Sequence, residues 1–301
     1  MKDIKTLVTI ICISAGSIAA MDGSQKSENY GYYETVTKST NIVSAKSSDK
    51  DEEVNVTKPK TVVVEKSKNT TAKDEIAKNT PSNEKIETVD HSTFDALLKA
   101  HVSSSGKVDY AAIKSKVATL DKYLGYLSQN VPGSSAGKNE RLAFWINAYN
   151  ANTIKLIVDN YPVASIMDLY GGKAFDKKWI NIGGEKLSLN DIENNKIRAK
   201  FDEPRIHFAV NCAAKSCPPI LNKAWTASNL QATLESRTIA FVNDPTYNKI
   251  SSGSVLISKI FEWYAKDFPN DIVSYLTKYS NTTIDGGAKV SYIEYDWALN
   301  N

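Results

Sequence analysis

The chain has 301 residues, 42% of them hydrophobic, and its 37 Lys and Arg against 34 Asp and Glu leave a formal net charge of +3. Charges so nearly balanced exclude the broad basic field of a nucleic-acid-binding protein. The length would accommodate two domains, but the apolar residues concentrate in the later part of the chain, which predicts one core.

Lys2 and Lys5, an apolar stretch from about Leu7 to Ile18, and small residues at Ser17, Ala19 and Ala20 read as an export signal over residues 1–20. Cys12 lies inside that stretch and follows Thr9-Ile10-Ile11, without the small preceding residue of a lipoprotein cysteine. Retention of the segment as an anchor is the alternative to cleavage. Residues 21–89 are rich in Lys, Ser, Thr, Asp, Glu and Asn with few large apolar side chains, so they cannot bury enough surface to offset the entropy of folding. The expectation is a disordered polar spacer, with Thr61-Val62-Val63-Val64 as an isolated run of strand formers. An exported protein, periplasmic or at the cell surface, with no stable transmembrane span after cleavage follows from this reading.

A single globular domain is predicted over residues 90–301. Ser92 is placed to cap a helix in which Phe94, Leu97, Leu98 and His101 share a face, and Leu120, Tyr123, Leu124 and Leu127 repeat that spacing in a second helical stretch. After the loop Pro132 to Gly137 comes the segment 139–160, apolar on nearly every side and interrupted by Asn147, Asn150 and Asn152. It predicts a central helix enclosed by protein, too polar for a lipid span. Asn147 and Asn150 fall on one face and need partners in the middle of the fold.

Further on, Lys178 to Ile182 and Glu185 to Leu189 around Gly183-Gly184 predict a two-stranded hairpin. Asn190 with Glu193 three residues later has the spacing of a capping box opening a helix to about Lys200. Arg205 to Asn211 reads as a buried strand. A helix is expected over 226–242, a strand at Val255 to Ile257, an aromatic helix over 259–266, another over 271–279, and a closing strand from Val290 to Trp297. The fold class is α+β, a helical domain around a buried central helix with a small β-sheet.

Five segments carry a resemblance: FWINAYNA at 144–151, SLNDIE at 188–193, RIHFAVNCAAKSCPP at 205–219, SKIFEWYAKDF at 258–268 and YDWALN at 295–300. Together they resemble the family called domain of unknown function 547, over nearly all of residues 90–301. The resemblance implies no assigned activity. Plant members carry a leucine zipper ahead of the domain, whereas this chain has an export signal and spacer. The family pattern usually has His after the Ile-Glu of the capped helix; here that position is Asn194.

Cys212 and His207 are the minimum for a thiol nucleophile and its base. On a strand they would point to opposite faces, so they meet only if the chain turns at Asn211; a core histidine is the bland reading. Cys212 and Cys217 close a short loop, so a disulfide, a redox-active pair and a free nucleophile all stay open. Zinc would need two ligands more than these cysteines and His207, and none stands at finger-like spacing, so no metal or cofactor is expected. Glu193 is a candidate general acid or base and equally a cap, and Asn147 a candidate orienting or stabilising group and equally a backbone brace. Phe261, Trp263, Tyr264 and Phe268 read as core.

Two functions follow. One is a tethered periplasmic or surface domain that binds an envelope protein or polymer. The other is a thiol-dependent hydrolase or acyl transferase using Cys212 and His207, with Glu193 or Asn147 assisting.

Overall fold

The computed structural model describes residues 88–268 and 271–301, which belong to one compact unit. The predicted export signal, with Cys12, and the spacer up to residue 87 lie outside the described residues. Val89, expected to end the spacer, is part of the fold: it packs against the core and donates its N–H to Glu140 Oε1 at 2.8 Å.

Asp90 Oδ1 accepts the Ser92 N–H at 2.8 Å and starts helix α1, Ser92–His101, so the carboxylate rather than the expected Ser92 hydroxyl satisfies the helix end. Phe94, Leu97 and Leu98 are buried along its inner face. Helix α2, Tyr110–Ser115, begins at Asp109, whose side chain accepts from the Ala112 N–H. Helix α3, Val117–Gln129, buries Leu120, Tyr123 and Leu127 on one side.

Helix α4, Lys138–Asn160, is the axis of the domain. Sixteen of its side chains are buried, in agreement with a helix enclosed on nearly every side, and it packs against α2, α3 and two later elements. Because its polar residues are buried too, each needs a partner. Asn147 Nδ2 donates to the Trp225 carbonyl at 2.7 Å, and its Oδ1 accepts the Trp225 N–H at 3.0 Å. Asn150 does the same one turn on, donating to Ala209 O at 2.9 Å and accepting from Asn211 N–H at 2.8 Å. Two amides thus clamp two stretches of irregular chain to the central helix. Among the described residues no helix is long and apolar enough to cross a membrane.

The predicted hairpin forms, with β1, Ile180–Ile182, antiparallel to β2, Glu185–Leu187. Gly183 and Gly184, at φ 60° and 79°, supply the paired left-handed residues that a two-residue turn requires. The following helix differs from expectation in two ways. It is a π-helix, Asp191–Arg198, and its cap is not the Asn190–Glu193 pair. Ser188 Oγ accepts the Asp191 N–H at 3.0 Å, while Asp191 Oδ2 accepts the Ser188 N–H at 2.9 Å. Asp191 therefore does the work predicted for Glu193.

The buried strand predicted over residues 205–211 is a short 3-10 helix, Pro204–Phe208, running into irregular chain. Pro204 fits a first helical turn, Glu203 accepts the Arg205 N–H, and Ala209 N–H and Val210 N–H both return to the Ile206 carbonyl. A short apolar run has the same composition in either conformation, so periodicity alone did not separate them.

Helix α5, Leu230–Asn243, starts later than expected and buries Leu230, Leu234 and Phe241. The second sheet has the order β3 (Lys249–Ile250), β4 (Ser254–Ser258), β5 (Lys289–Ile293), with β3 antiparallel and β5 parallel to β4. A parallel pair needs a crossover. It is made by α6, Ile260–Trp263, a 3-10 turn Ala265–Asp267, and α7, Ile272–Tyr279. Some 49% of the described structure is helical beside two small sheets, which is α+β. The closing strand is shorter than predicted. Past Ile293 the chain instead runs along the cysteine loop, where Lys215 N–H donates to Ala298 O at 2.8 Å and Asn300 N–H to Ala213 O at 3.1 Å.

Candidate functional site

Two apolar clusters make up the interior, one around α4 and one around β4, α5 and α7. A narrow cleft lies where residues of both meet, lined among others by Tyr149, Glu193, His207, Cys212, Cys217, Trp263, Tyr264, Tyr295 and Trp297. Trp263 and Tyr264 are only half-buried and face this space, so two of the four aromatics read as core belong to the cleft wall; Phe261 and Phe268 are core.

Cys212 is positioned by the loop around it. Asn211, held by Asn150, turns its Oδ1 back to the Ala213 N–H at 2.9 Å and donates Nδ2 to Pro218 O at 2.9 Å. Ala213 sits at φ 64°, a left-handed conformation that costs a residue with a side chain ~1–2 kcal/mol and recurs at functional sites. Both cysteines are free thiols. The Cys212 N–H points at Cys217 Sγ, 2.9 Å away, so the two are neighbours that remain unjoined. Cys212 Sγ is 3.1 Å from the Tyr295 hydroxyl.

These contacts make the two sulfurs unequal. Burial opposes a thiolate at Cys212, but hydrogen bonds from Cys217, Tyr295 and the Ala214 N–H outweigh it and pull its pKa below the ordinary cysteine value. Burial and the demand of Cys212 push Cys217 well above its own. These hydrogen bonds favour ionisation at Cys212, the less buried of the two sulfurs that line the cleft.

The simple Cys–His dyad does not form. His207, 2% exposed, bonds through Nε2 to Asp267 Oδ2 at 2.8 Å, and no hydrogen bond joins it to Cys212 among the described residues. Its ring stacks on Tyr264 with centroids 4.0 Å apart. Asp267 also receives Arg198 through Nε at 2.5 Å and Nη2 at 2.8 Å. Burial works against its charge, yet the hydrogen bonds from His207 and Arg198 hold the carboxyl far below the usual carboxylate range. Arg198 Nη1 in turn donates to Asn194 Oδ1 at 2.5 Å. The position where the family pattern usually has histidine thus orients the arginine.

Of the four residues singled out from the sequence, Cys212, His207 and Glu193 share the cleft. Asn147 does not; both of its amide atoms are spent on Trp225. Glu193, freed from the cap, is 5% exposed and makes no hydrogen bond or ion pair among the described residues. Asp267, Arg198, Tyr149 and Tyr295 were missed, because their association with the cysteine loop exists only in three dimensions. Asp267 does stand in the segment 258–268 that carries the resemblance. Among the described residues no group of three or more His, Cys, Asp or Glu side chains could hold a metal ion.

Residues 134–242 match the family described as protein of unknown function, DUF547. That segment belongs to the DUF547 family. The match takes in α4, the π-helix, His207 and both cysteines, and is narrower than the resemblance drawn over 90–301. No curated protein and no solved structure matches the chain.

Proposed function

We propose that the domain is a thiol-dependent hydrolase or acyl transferase with Cys212 as nucleophile. The observation that carries this is the placement of Cys212: it is the less buried of two free thiols lining the cleft it shares with His207, and its sulfur is 3.1 Å from the Tyr295 hydroxyl, a contact that favours the ionised form. A thiolate, not a thiol, is the attacking species. His207 shares the same cleft. With Nε2 held by Asp267, Nδ1 is the ring atom left to exchange a proton with substrate or leaving group.

In the reaction, Cys212 Sγ adds to an acyl carbon, the leaving oxygen, nitrogen or sulfur departs with a proton, and water or a second acceptor releases the acyl group from the thioester. The alternative, a binding domain on a tether, predicts a pocket without converging titratable groups. Hydrogen-bond reach between Cys212, His207 and a carboxylate would count most strongly against it; here His207 reaches Asp267 but not Cys212, and what favours catalysis is that Cys212, His207 and Glu193 line one cleft.

Incubation with a panel of p-nitrophenyl acyl esters and acyl thioesters, followed by intact-protein mass measurement, tests the reading. The expected result is an acyl adduct on Cys212 that Cys212→Ser abolishes together with turnover. Absence of a Cys212 adduct with every member of the panel overturns it.

Export completes the proposal and rests on Lys2, Lys5, the apolar run and the small residues that follow it. In an oxidising compartment Cys212 and Cys217 would be joined by any oxidant that reaches the cleft, so the active form is the dithiol. Fractionation with N-terminal sequencing checks the location; a full-length chain confined to the cytoplasm contradicts it.

A further inference from the structure

The cleft has a charge pattern that selects its ligand. Among its lining side chains there is no lysine and no arginine. His207 is committed to Asp267, and the Arg198 guanidinium to Asp267 and Asn194, with its carbon 4.9 Å from the centre of the Tyr264 ring. What remains is Glu193, 5% exposed, in the cleft wall and without a hydrogen bond or ion pair among the described residues; Arg198 acts on it only through its field, the guanidinium being held by Asp267 and Asn194. A buried carboxyl is costly unless something hydrogen-bonds or neutralises it. Beside it is Cys212, the favoured seat of a second negative charge, which Glu193 opposes. An anionic ligand would add a third like charge to an apolar-walled space. A cation would relieve the repulsion already there.

The remaining wall is aromatic, with Tyr149, Trp263, Tyr264, Tyr295 and Trp297. Aromatic rings around a single carboxylate favour an alkylammonium group, which gains from the ring quadrupoles and from the counter-charge together. We propose that the cleft binds its substrate through a primary ammonium group, with the Glu193 carboxylate as counter-ion among the rings of Tyr149 and Trp263. The inference rests on the reading of this cleft as the substrate site, and names the class of compound that reading left open: an amine, met either on the acyl substrate or as the acceptor that takes the acyl group from Cys212.

Two measurements on the wild-type chain and on Glu193→Gln and Cys212→Ser variants test it. Tryptophan emission is titrated with n-butylammonium, n-butanol and butyrate, and alkylation of Cys212 by iodoacetamide is timed with each present. The expected result is saturable quenching by butylammonium in the wild type and in Cys212→Ser, at least about tenfold weaker in Glu193→Gln. Butylammonium should also protect Cys212 in the wild type, whereas butanol and butyrate should not. Equal binding or protection by butanol or butyrate, or no protection by butylammonium, overturns the proposal whether or not Glu193→Gln folds. Because Cys212→Ser keeps the ammonium site, binding that survives alongside a failed acyl-adduct experiment rejects the catalytic reading alone.

Discussion

Nε2 of His207 lies 2.8 Å from Oδ2 of Asp267, a carboxylate 60 residues further along the chain that also receives Arg198. This contact rather than one to Cys212 fixes the imidazole, and it divides the site into an oriented proton carrier and a separately stabilised sulfur. Removing the carboxylate should cost the histidine its orientation. Asp267→Asn is expected to lower acyl transfer by about 10²-fold or more while alkylation of Cys212 changes little; equal losses in both assays would mean the two halves are not separate.

The same carboxylate makes stability depend on pH. Its folded-state pKa is depressed below the ordinary 3.8, so the stability it contributes is fully present above that value and disappears as pH falls through the lower folded value. Other carboxyls with lowered values, Asp90 and Asp191 among them, add to the acid sensitivity, so the informative quantity is a difference. The gap in urea midpoint between the parent and Asp267→Asn should be widest at neutral pH and should shrink as pH falls below 3.8. A gap that does not change with pH rejects the assignment.

Tyr295 donates to the sulfur that carries the charge. Tyr295→Phe deletes the donor and little volume, so the Cys212 pKa should rise and alkylation at neutral pH should slow by about three- to tenfold. Its rate at high pH, where every thiol is ionised, should be unaltered. A neutral-pH rate equal to that of the parent would show that the hydroxyl does not stabilise the thiolate.

Asn147 and Asn150 offer a matched pair on one helix face. Replacing either by Ala orphans one backbone N–H and one carbonyl in the interior, a cost of roughly 2–6 kcal/mol for the two groups. The functional consequences should diverge. Asn150 holds Ala209 and Asn211 next to the nucleophile, so Asn150→Ala should slow Cys212 alkylation; Asn147 holds Trp225, and Asn147→Ala should leave that rate alone. Thermal unfolding and alkylation rates measured on both variants separate the two roles.

Gly106 closes the turn between α1 and α2 at φ 80°, and a Cβ there would sit 2.5 Å from the Pro219 Cβ, just past the cysteine loop. Gly106→Ala combines a left-handed backbone with a collision, so it should destabilise by more than about 1 kcal/mol. A melting temperature equal to the parent's would show that the loop gives way freely.

Much of the scaffold was legible in the sequence because its elements are strongly patterned. The all-round apolar run of α4, the amide pair that must find partners within the core, and the Gly183-Gly184 hairpin each follow from a single local rule. The segment 204–211 was not legible, since a dense apolar stretch is equally a strand or a short helix until Pro204 and its packing decide. Glu193 was misjudged because two acidic residues stood within reach of the helix start, and spacing alone did not show that Ser188 with Asp191 would form the cap. Half of the site was legible for a related reason. Cys212 and His207 stand close in sequence, whereas Asp267 and Tyr295 reach them only through the parallel crossover and the C-terminal segment laid along the cysteine loop.

The most direct test of the account is the pH dependence of Cys212 alkylation by iodoacetamide in the reduced protein, read by peptide mapping so that Cys217 is counted separately. The account predicts that Cys212 reacts with an inflection below that of free cysteine and outpaces it at neutral pH, while Cys217 stays unlabelled. An inflection at or above the free-cysteine value, or preferential labelling of Cys217, would contradict it.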